Sequence, residues 1–351
     1  MHIMPLLSRV WLARILLILG IFLGIFLLFN LVGYVSEKLG VGNVSKMATS
    51  FIFTPESRIR VFNGRTNVLV LGKGGEGHAG ANLTDTIIFT SFSHQDTGLT
   101  LISVPRDIWV PEIRAKLNAA YFWGKQKEEW GGLTLTKSLV EDILGQPIHY
   151  AVVLDFNGFK KVIDVLGGIE VEVERAFVDE KYPIEGKEDE DCGGKDPEFS
   201  CRYETLTFSA GKQYMDGITA LKFVRSRNAE GEEGTDLARA ARQQKVVRAV
   251  VDTVLNPKTF LSPRKMLAIL RVAKEAVETD LDSSSGAVLA RKVLSSRGRS
   301  GSMVIPEEFL ENPTPSEKYD DQSVYIPRRG TVPGGKFDWT EIRHWAEDLL
   351  Q

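Results

Sequence analysis

The sequence predicts a layered α/β domain, its helices packed on a largely buried sheet, preceded by one membrane-spanning helix. Two observations carry this. Near the N-terminus an apolar run holds no charge, and from residue 66 onward apolar β-branched runs alternate with runs of helical periodicity. The chain of 351 residues is long enough for one large domain or two modest ones with a self-supporting core. Its 43 basic and 46 acidic groups give a net charge of -3, which excludes the basic footprint of a nucleic-acid binder. Five His and two Cys form neither an HExxH nor a CxxC pair, so a zinc site of those kinds is not expected.

The first element is the run ILLILGIFLGIFLLFNLVGY, residues 15–34. Twenty uncharged residues at about 1.5 Å each span a hydrocarbon core of about 30 Å. The run is longer than a secretory signal's apolar region and no small-residue cleavage site follows closely, so it reads as an uncleaved anchor. Arg9 and Arg14 precede it, which places residues 1–14 in the cytoplasm and the remainder outside the cell membrane. Residues 35–65 read as a juxtamembrane stalk, 66–257 as the main domain, and 258–351 as a helical extension with a Pro/Gly-rich tail.

Within the main domain, TNVLVL, DTIIFTSF and LTLISV read as strands. KLNAAYFWGK and LTKSLVEDILG read as helices, the second stopped by Gly145. HYAVVLDF is a further strand, FKKVIDVLGG a short helix, and IEVEVE an alternating strand. Residues 179–204, with the run EDEDCGGKD, read as a solvated acidic excursion without the ligand spacing of a calcium loop. In an oxidising exterior Cys192 and Cys201 either close a small loop there or remain two thiols. Helices are expected over residues 216–224 and 237–255, the latter with an apolar stripe of Leu237, Ala240, Val247, Val250, Val251 and Val254.

Four constellations bear on chemistry. Gly72, Gly74 and Gly77 spell GxGxxG after a strand, but the loop runs on into another strand, so a dinucleotide site is not expected. The loop is either a weak anion cradle or a plain connection. In SVPRD, Arg106 and Asp107 emerge at the carboxyl end of a strand, where ligands of open α/β sheets gather. In FVRSR, Arg225 and Arg227 are two apart; in an extended segment both forks face one side, which suits a pyrophosphate. In TDLARAARQQ, Asp236, Arg239 and Gln243 share one helical face, with Thr235 placed to cap it. Arginines beside carboxylates suit a phosphate-rich anion. Asp85, opening a strand after the glycine loop, is placed for Mg²⁺ that keeps waters and bridges substrate oxygens.

In order, NVLVLG, LTDT, ISVPRD, KLNAAYFWG, DVLGGIEVEV, GKQYMDGITALKFVRSR and DLARAARQQ resemble the motifs of LytR-CpsA-Psr proteins over residues 66–255. The resemblance implies a three-layer α/β/α fold around a central mixed sheet, with a long apolar groove for a polyprenyl chain. It implies an extracytoplasmic, Mg²⁺-dependent phosphotransferase that moves a glycopolymer from a polyprenyl pyrophosphate carrier onto peptidoglycan or another wall acceptor. Asp85 would then help bind Mg²⁺, while Arg106, Arg225 and Arg227, with Lys116 adding charge, would hold the pyrophosphate. Arg239 and Gln243 would complete that cage, and Asp236 would hold an arginine or act near the acceptor. Arg106, Asp236 and Arg239 are the expected catalytic residues. Two positions depart from the family pattern: Gly74 stands where an Asp is usual and Leu83 where an Arg is usual. Those departures leave open a binding module without transfer activity, and water as acceptor would give a phosphatase.

Overall fold

The computed structural model describes residues 53–75, 80–95, 98–187, 189–194, 196–254, 256–260, 262–295 and 300–351. The expected membrane span, 15–34, and most of the stalk lie outside the described residues. Among those described, no helix is long and apolar enough to cross a membrane. Ile59–Asp282 and Leu289–Gln351 form one compact unit. The other comprises Met1–Arg58 and Ser283–Val288; its described part includes a 3₁₀ turn, Glu56–Arg58.

The larger unit is built on a mixed sheet. Its strands in chain order begin with β1 (Arg65–Lys73), β2 (Thr84–Ser93), β3 (Leu99–Ser103), β4 (Trp109–Val110), β5 (Ala115–Lys116) and β6 (Tyr150–Asp155). They continue with β7 (Ile169–Val173), β8 (Phe177–Pro183), β9 (Tyr203–Phe208) and β10 (Gly211–Met215). The last four are β11 (Val277–Thr279), β12 (Ser300–Val304), β13 (Leu310–Glu311) and β14 (Ile326–Pro327). The helices are α1 (Ala120–Lys127), α2 (Gly131–Leu144), α3 (Phe156–Leu166), α4 (Gly217–Arg225) and α5 (Asp236–Val254). After them come α6 (Pro257–Phe260), α7 (Pro263–Ala276), α8 (Ser283–Ser295) and α9 (Thr340–Leu350).

The six-stranded sheet has the order β11-β6-β1-β2-β3-β12. β1 with β6 and β3 with β12 are parallel; the other neighbours are antiparallel. β1 and β2 are buried along most of their length because both faces are covered, which explains why they read as continuous apolar runs. One face carries Leu69, Leu71, Phe89 and Ile102, which pack with Tyr121 of α1, Leu133 and Val140 of α2, and Ile342 and Ala346 of α9. Each large side chain fully buried there stabilises the fold by about 1.5–3 kcal/mol. On the opposite face α5 is tied to β3, Gln244 Nε2 donating to Ser103 Oγ at 3.2 Å. A second core joins α3, α4 and α5 to the ribbons β7–β10 and β8–β9 through Ile163, Val171, Phe177, Phe208 and Phe223.

Local signals set the helix ends. Gly145 closes α2 at φ 66°, a left-handed backbone that a side chain disfavours. Asp155 caps α3 by accepting from Gly158 N, and Thr235 Oγ1 accepts from Ala238 N at the start of α5, as its position predicted.

The structure corrects three local expectations. KLNAAYFWGK opens with a 3₁₀ turn, Leu117–Ala119, before α1. The supposed solvated excursion begins inside β8, where Asp179 is fully buried. On α5 Ala240, Arg242, Val246 and Ala249 are buried and Val250 and Val254 pack against the core, whereas Val247 is exposed. Past residue 257, β11 and β12 complete the main sheet.

Cys192 and Cys201 are joined, closing a short loop at the tip of the β8–β9 ribbon. A cross-link across 9 positions removes chain entropy worth about 2–3 kcal/mol from the unfolded state. The Cys192→Ser/Cys201→Ser variant is therefore expected to melt lower than wild type, a difference that reductant applied to wild type reproduces.

Candidate functional site

The carboxyl ends of the parallel strands β1, β3, β6 and β12 lie at one edge of the sheet, beside the start of β2. Backbone that leaves the sheet here delivers side chains to a shared space. Two adjoining cavities occupy it, of about 200 and 300 Å³. Asp85, Thr86, Arg106, Arg239 and Gln243 line both.

The smaller cavity is mainly apolar. Ile87, Val104, Ala240, Ile305 and Leu310 form its walls. The larger is cationic: Arg106, Lys181, Arg225, Arg227 and Arg239 face two carboxylates, Asp85 and Asp179. Arg225 is held by stacking, its guanidinium 4.5 Å from the Phe156 ring and 5.9 Å from Tyr182. Where the two cavities meet, charges alternate. Arg106 bonds Asp85 through Nη1 and reaches Asp107 Oδ2 at 3.4 Å, while Lys116 Nζ donates to Asp107 Oδ1 at 2.8 Å. Burial disfavours the Arg106 cation, but Asp85 and Asp107 outweigh it and hold its pKa above the ordinary value. Burial likewise pushes the Asp107 carboxyl up, but Lys116 and Arg106 prevail and keep it below the usual carboxylate range.

The residues singled out in the sequence divide as follows. Asp85, Arg106, Arg239 and Gln243 converge, and Arg225 and Arg227 join them in the cationic cavity. The physical reason for the last pair differs from the expected one: Arg225 ends α4 and Arg227 directly follows the helix's C-cap, Ser226, so a helix end and the exit from it, not a strand, carry both. Lys116 lines neither cavity; its ammonium is engaged by Asp107. Asp236 opens α5 one turn before Arg239, and its side chain lies outside those described.

Among the described residues no helix separates β1 from antiparallel β2; Gly72 lies within β1 opposite Thr86, Gly74 follows the strand, and Gly77 lies outside the described residues. Glycine is required beside Gly74, because at Gly75 (φ +83°) a Cβ would sit 2.8 Å from Asp155 Cβ.

Sequence reasoning missed the wall from β12 onward: Val304, Ile305, Pro306, Glu307, Leu310 and Tyr325. A short apolar run, Met303 to Ile305 before Pro306, was its only signal.

Among the described residues no group of three or more His, Cys, Asp and Glu gathers as a metal cluster. Asp107 is engaged by Arg106 and Lys116. Asp85, bonded by Arg106, would be the residue to hold Mg²⁺ beside a phosphorylated ligand, an ion that needs few protein ligands because it keeps several waters.

The fold and this site define a mixed α/β protein with an apolar chamber opening onto an arginine-lined one. Residues 43–328 match the LytR_cpsA_psr family, and the chain belongs to it. It is 28% identical over 277 residues, 78% of this chain and 77% of the relative, to the polyisoprenyl-teichoic acid–peptidoglycan teichoic acid transferase TagU of Oceanobacillus iheyensis. The fold is similar to that of the crystal structure of Bacillus subtilis TagV, with a TM-score of 0.55 and 23% identity, covering 83% of this chain and 98% of that one. It is also similar to TagT bound to LIIa-WTA, with a TM-score of 0.54 and 21% identity over 84% of this chain and 94% of that one.

Proposed function

We propose that this protein transfers a glycopolymer from a polyprenyl pyrophosphate carrier onto peptidoglycan or another cell-wall acceptor, on the outer face of the membrane to which residues 15–34 anchor it. The observation that carries this reading is the shared wall of the two cavities. An apolar chamber suits the first isoprene units, and the arginine chamber beside it suits the pyrophosphate that follows them. Family membership and the name of the Oceanobacillus relative support the same chemistry.

In this mechanism Arg106, Arg225, Arg227 and Arg239, with Gln243, hold the pyrophosphate and stabilise the charge that develops on it. An acceptor hydroxyl attacks the phosphorus that bears the glycan. The bond from that phosphorus to the bridging oxygen breaks, and polyprenyl phosphate leaves. Asp236 would hold an arginine or act near the acceptor, as the family resemblance implies. Asp85 would hold Mg²⁺ against the phosphate oxygens, where the ion would neutralise charge as a Lewis acid.

The test is full-length protein in proteoliposomes with a synthetic polyprenyl pyrophosphate-linked glycan, Mg²⁺ and peptidoglycan. Transfer predicts polyprenyl phosphate release together with glycan phosphate on the peptidoglycan. Lipid bound without release contradicts transfer and supports the binding-module reading that Gly74 and Leu83 favour. Release without any polymer on the acceptor indicates a phosphatase.

A separate expectation concerns the apolar chamber. Ala240 lies on its wall and is largely buried. Ala240→Phe should fill the space and weaken binding of a long polyprenyl pyrophosphate in equilibrium binding, while inorganic pyrophosphate binds as before.

A further inference from the structure

Two charged side chains outside the predicted set hold the segment that carries Arg225 and Arg227. Asp179, on β8, is fully buried. Its Oδ2 accepts from Ser226 Oγ at 2.7 Å, Arg227 N at 3.1 Å and Asn228 N at 3.2 Å. Its Oδ1 accepts from Lys181 N at 3.1 Å, and its backbone bridges to Ala229.

From the other side comes Arg242 of α5, 3% exposed and 4.7 Å over the Phe177 ring. Its Nη2 donates to Ser226 O at 2.5 Å and its Nε to Phe223 O at 3.1 Å. Its Nη1 donates to both Glu233 O and Glu233 Oε2 at 2.9 Å. Ser226 is thus gripped by its hydroxyl from one side and its carbonyl from the other.

Taking a carboxylate and a guanidinium out of water is costly unless nearly every polar atom is satisfied. Here Asp179 and Arg242 form no direct ion pair, and most of their bonds go to one short stretch of backbone, residues 223–233. An apolar core would stabilise more simply. The arrangement makes sense if the position of that stretch matters, because a guanidinium that must meet a phosphate in a fixed orientation needs a fixed backbone beneath it.

We propose that Asp179 and Arg242 are positioning residues that lock the 225–228 segment so that Arg225 and Arg227 present their forks together to one anion. This rests on the reading of the cationic cavity as a pyrophosphate site. The ribbon that carries Asp179 has the loop closed by the Cys192–Cys201 disulfide at its tip.

The experiment uses full-length protein and farnesyl pyrophosphate as the probe, with affinity measured by calorimetry. Asp179→Asn keeps the volume but removes the charge and turns an acceptor into a donor. It is expected to weaken binding at least about 10-fold in the wild-type background, and less than about 2-fold in an Arg225→Ala/Arg227→Ala background. An equal loss in both backgrounds, or no loss in either, overturns the proposal. Should Asp179→Asn not fold, Ser226→Ala removes a single donor and should show a smaller loss with the same dependence on background.

Tryptic cleavage after Arg225 and Arg227 reads the lock without any ligand. Protection in wild type that is lost in Asp179→Asn supports it, and unchanged protection overturns it. A wild-type protein that binds no probe but shows this protease difference contradicts the pyrophosphate reading while leaving the lock intact.

Discussion

Replacing Arg106 with Ala is expected to slow polyprenyl phosphate release by about 10²–10³-fold, the usual cost of losing one preorganised donor to transition-state charge. Two effects add. The fork that would meet a phosphate oxygen is gone, and Asp85 and Asp107 are left facing the anion without the cation that separates them. Arg106→Lys restores a charge but not the planar fork, so it should recover part of the rate. Single-turnover assays measure the chemical step, and an unchanged circular dichroism spectrum checks that the fold persists. Equal rates for Ala and Lys would mean that charge plays no part at this position.

Arg225→Ala/Arg227→Ala should act on binding more than on fold. A hydrogen bond to a charged group contributes about 1.5–3 kcal/mol, so losing two weakens pyrophosphate binding by about 10²–10⁴-fold. Arg225 should carry the larger share, because its guanidinium is also packed on Phe156 and so is already oriented. Arg227 is exposed, and its contribution should fall with added salt. Calorimetric titration of pyrophosphate at two ionic strengths separates the two residues.

The sheet and its helices were legible because their signals are local. TNVLVL and DTIIFTSF are β-branched runs joined by a glycine loop, and Gly145 and Thr235 mark helix ends wherever they occur. Arg239 and Gln243 were found because helical spacing alone puts them on one face. The rest depends on contacts distant in sequence. β12 pairs with β3 about 200 positions earlier, and no local pattern announces that its exit will wall an apolar chamber. Asp179 lies at the head of an acidic stretch and Arg242 within RAARQQ, so each looks like a solvated charge. Only the folded chain shows that they share Ser226. Lys116 illustrates the reverse case: a lysine near the site by sequence whose charge Asp107 already engages.

The central claim is that the two adjoining cavities hold two parts of one lipid. A crystal structure of the protein with a bound polyprenyl pyrophosphate tests it most directly. The account predicts the diphosphate among Arg106, Arg225, Arg227 and Arg239, and the first isoprene units against Ile87, Val104, Ile305 and Leu310. A diphosphate bound away from these arginines, or a polyprenyl chain lying outside the apolar chamber, would contradict it.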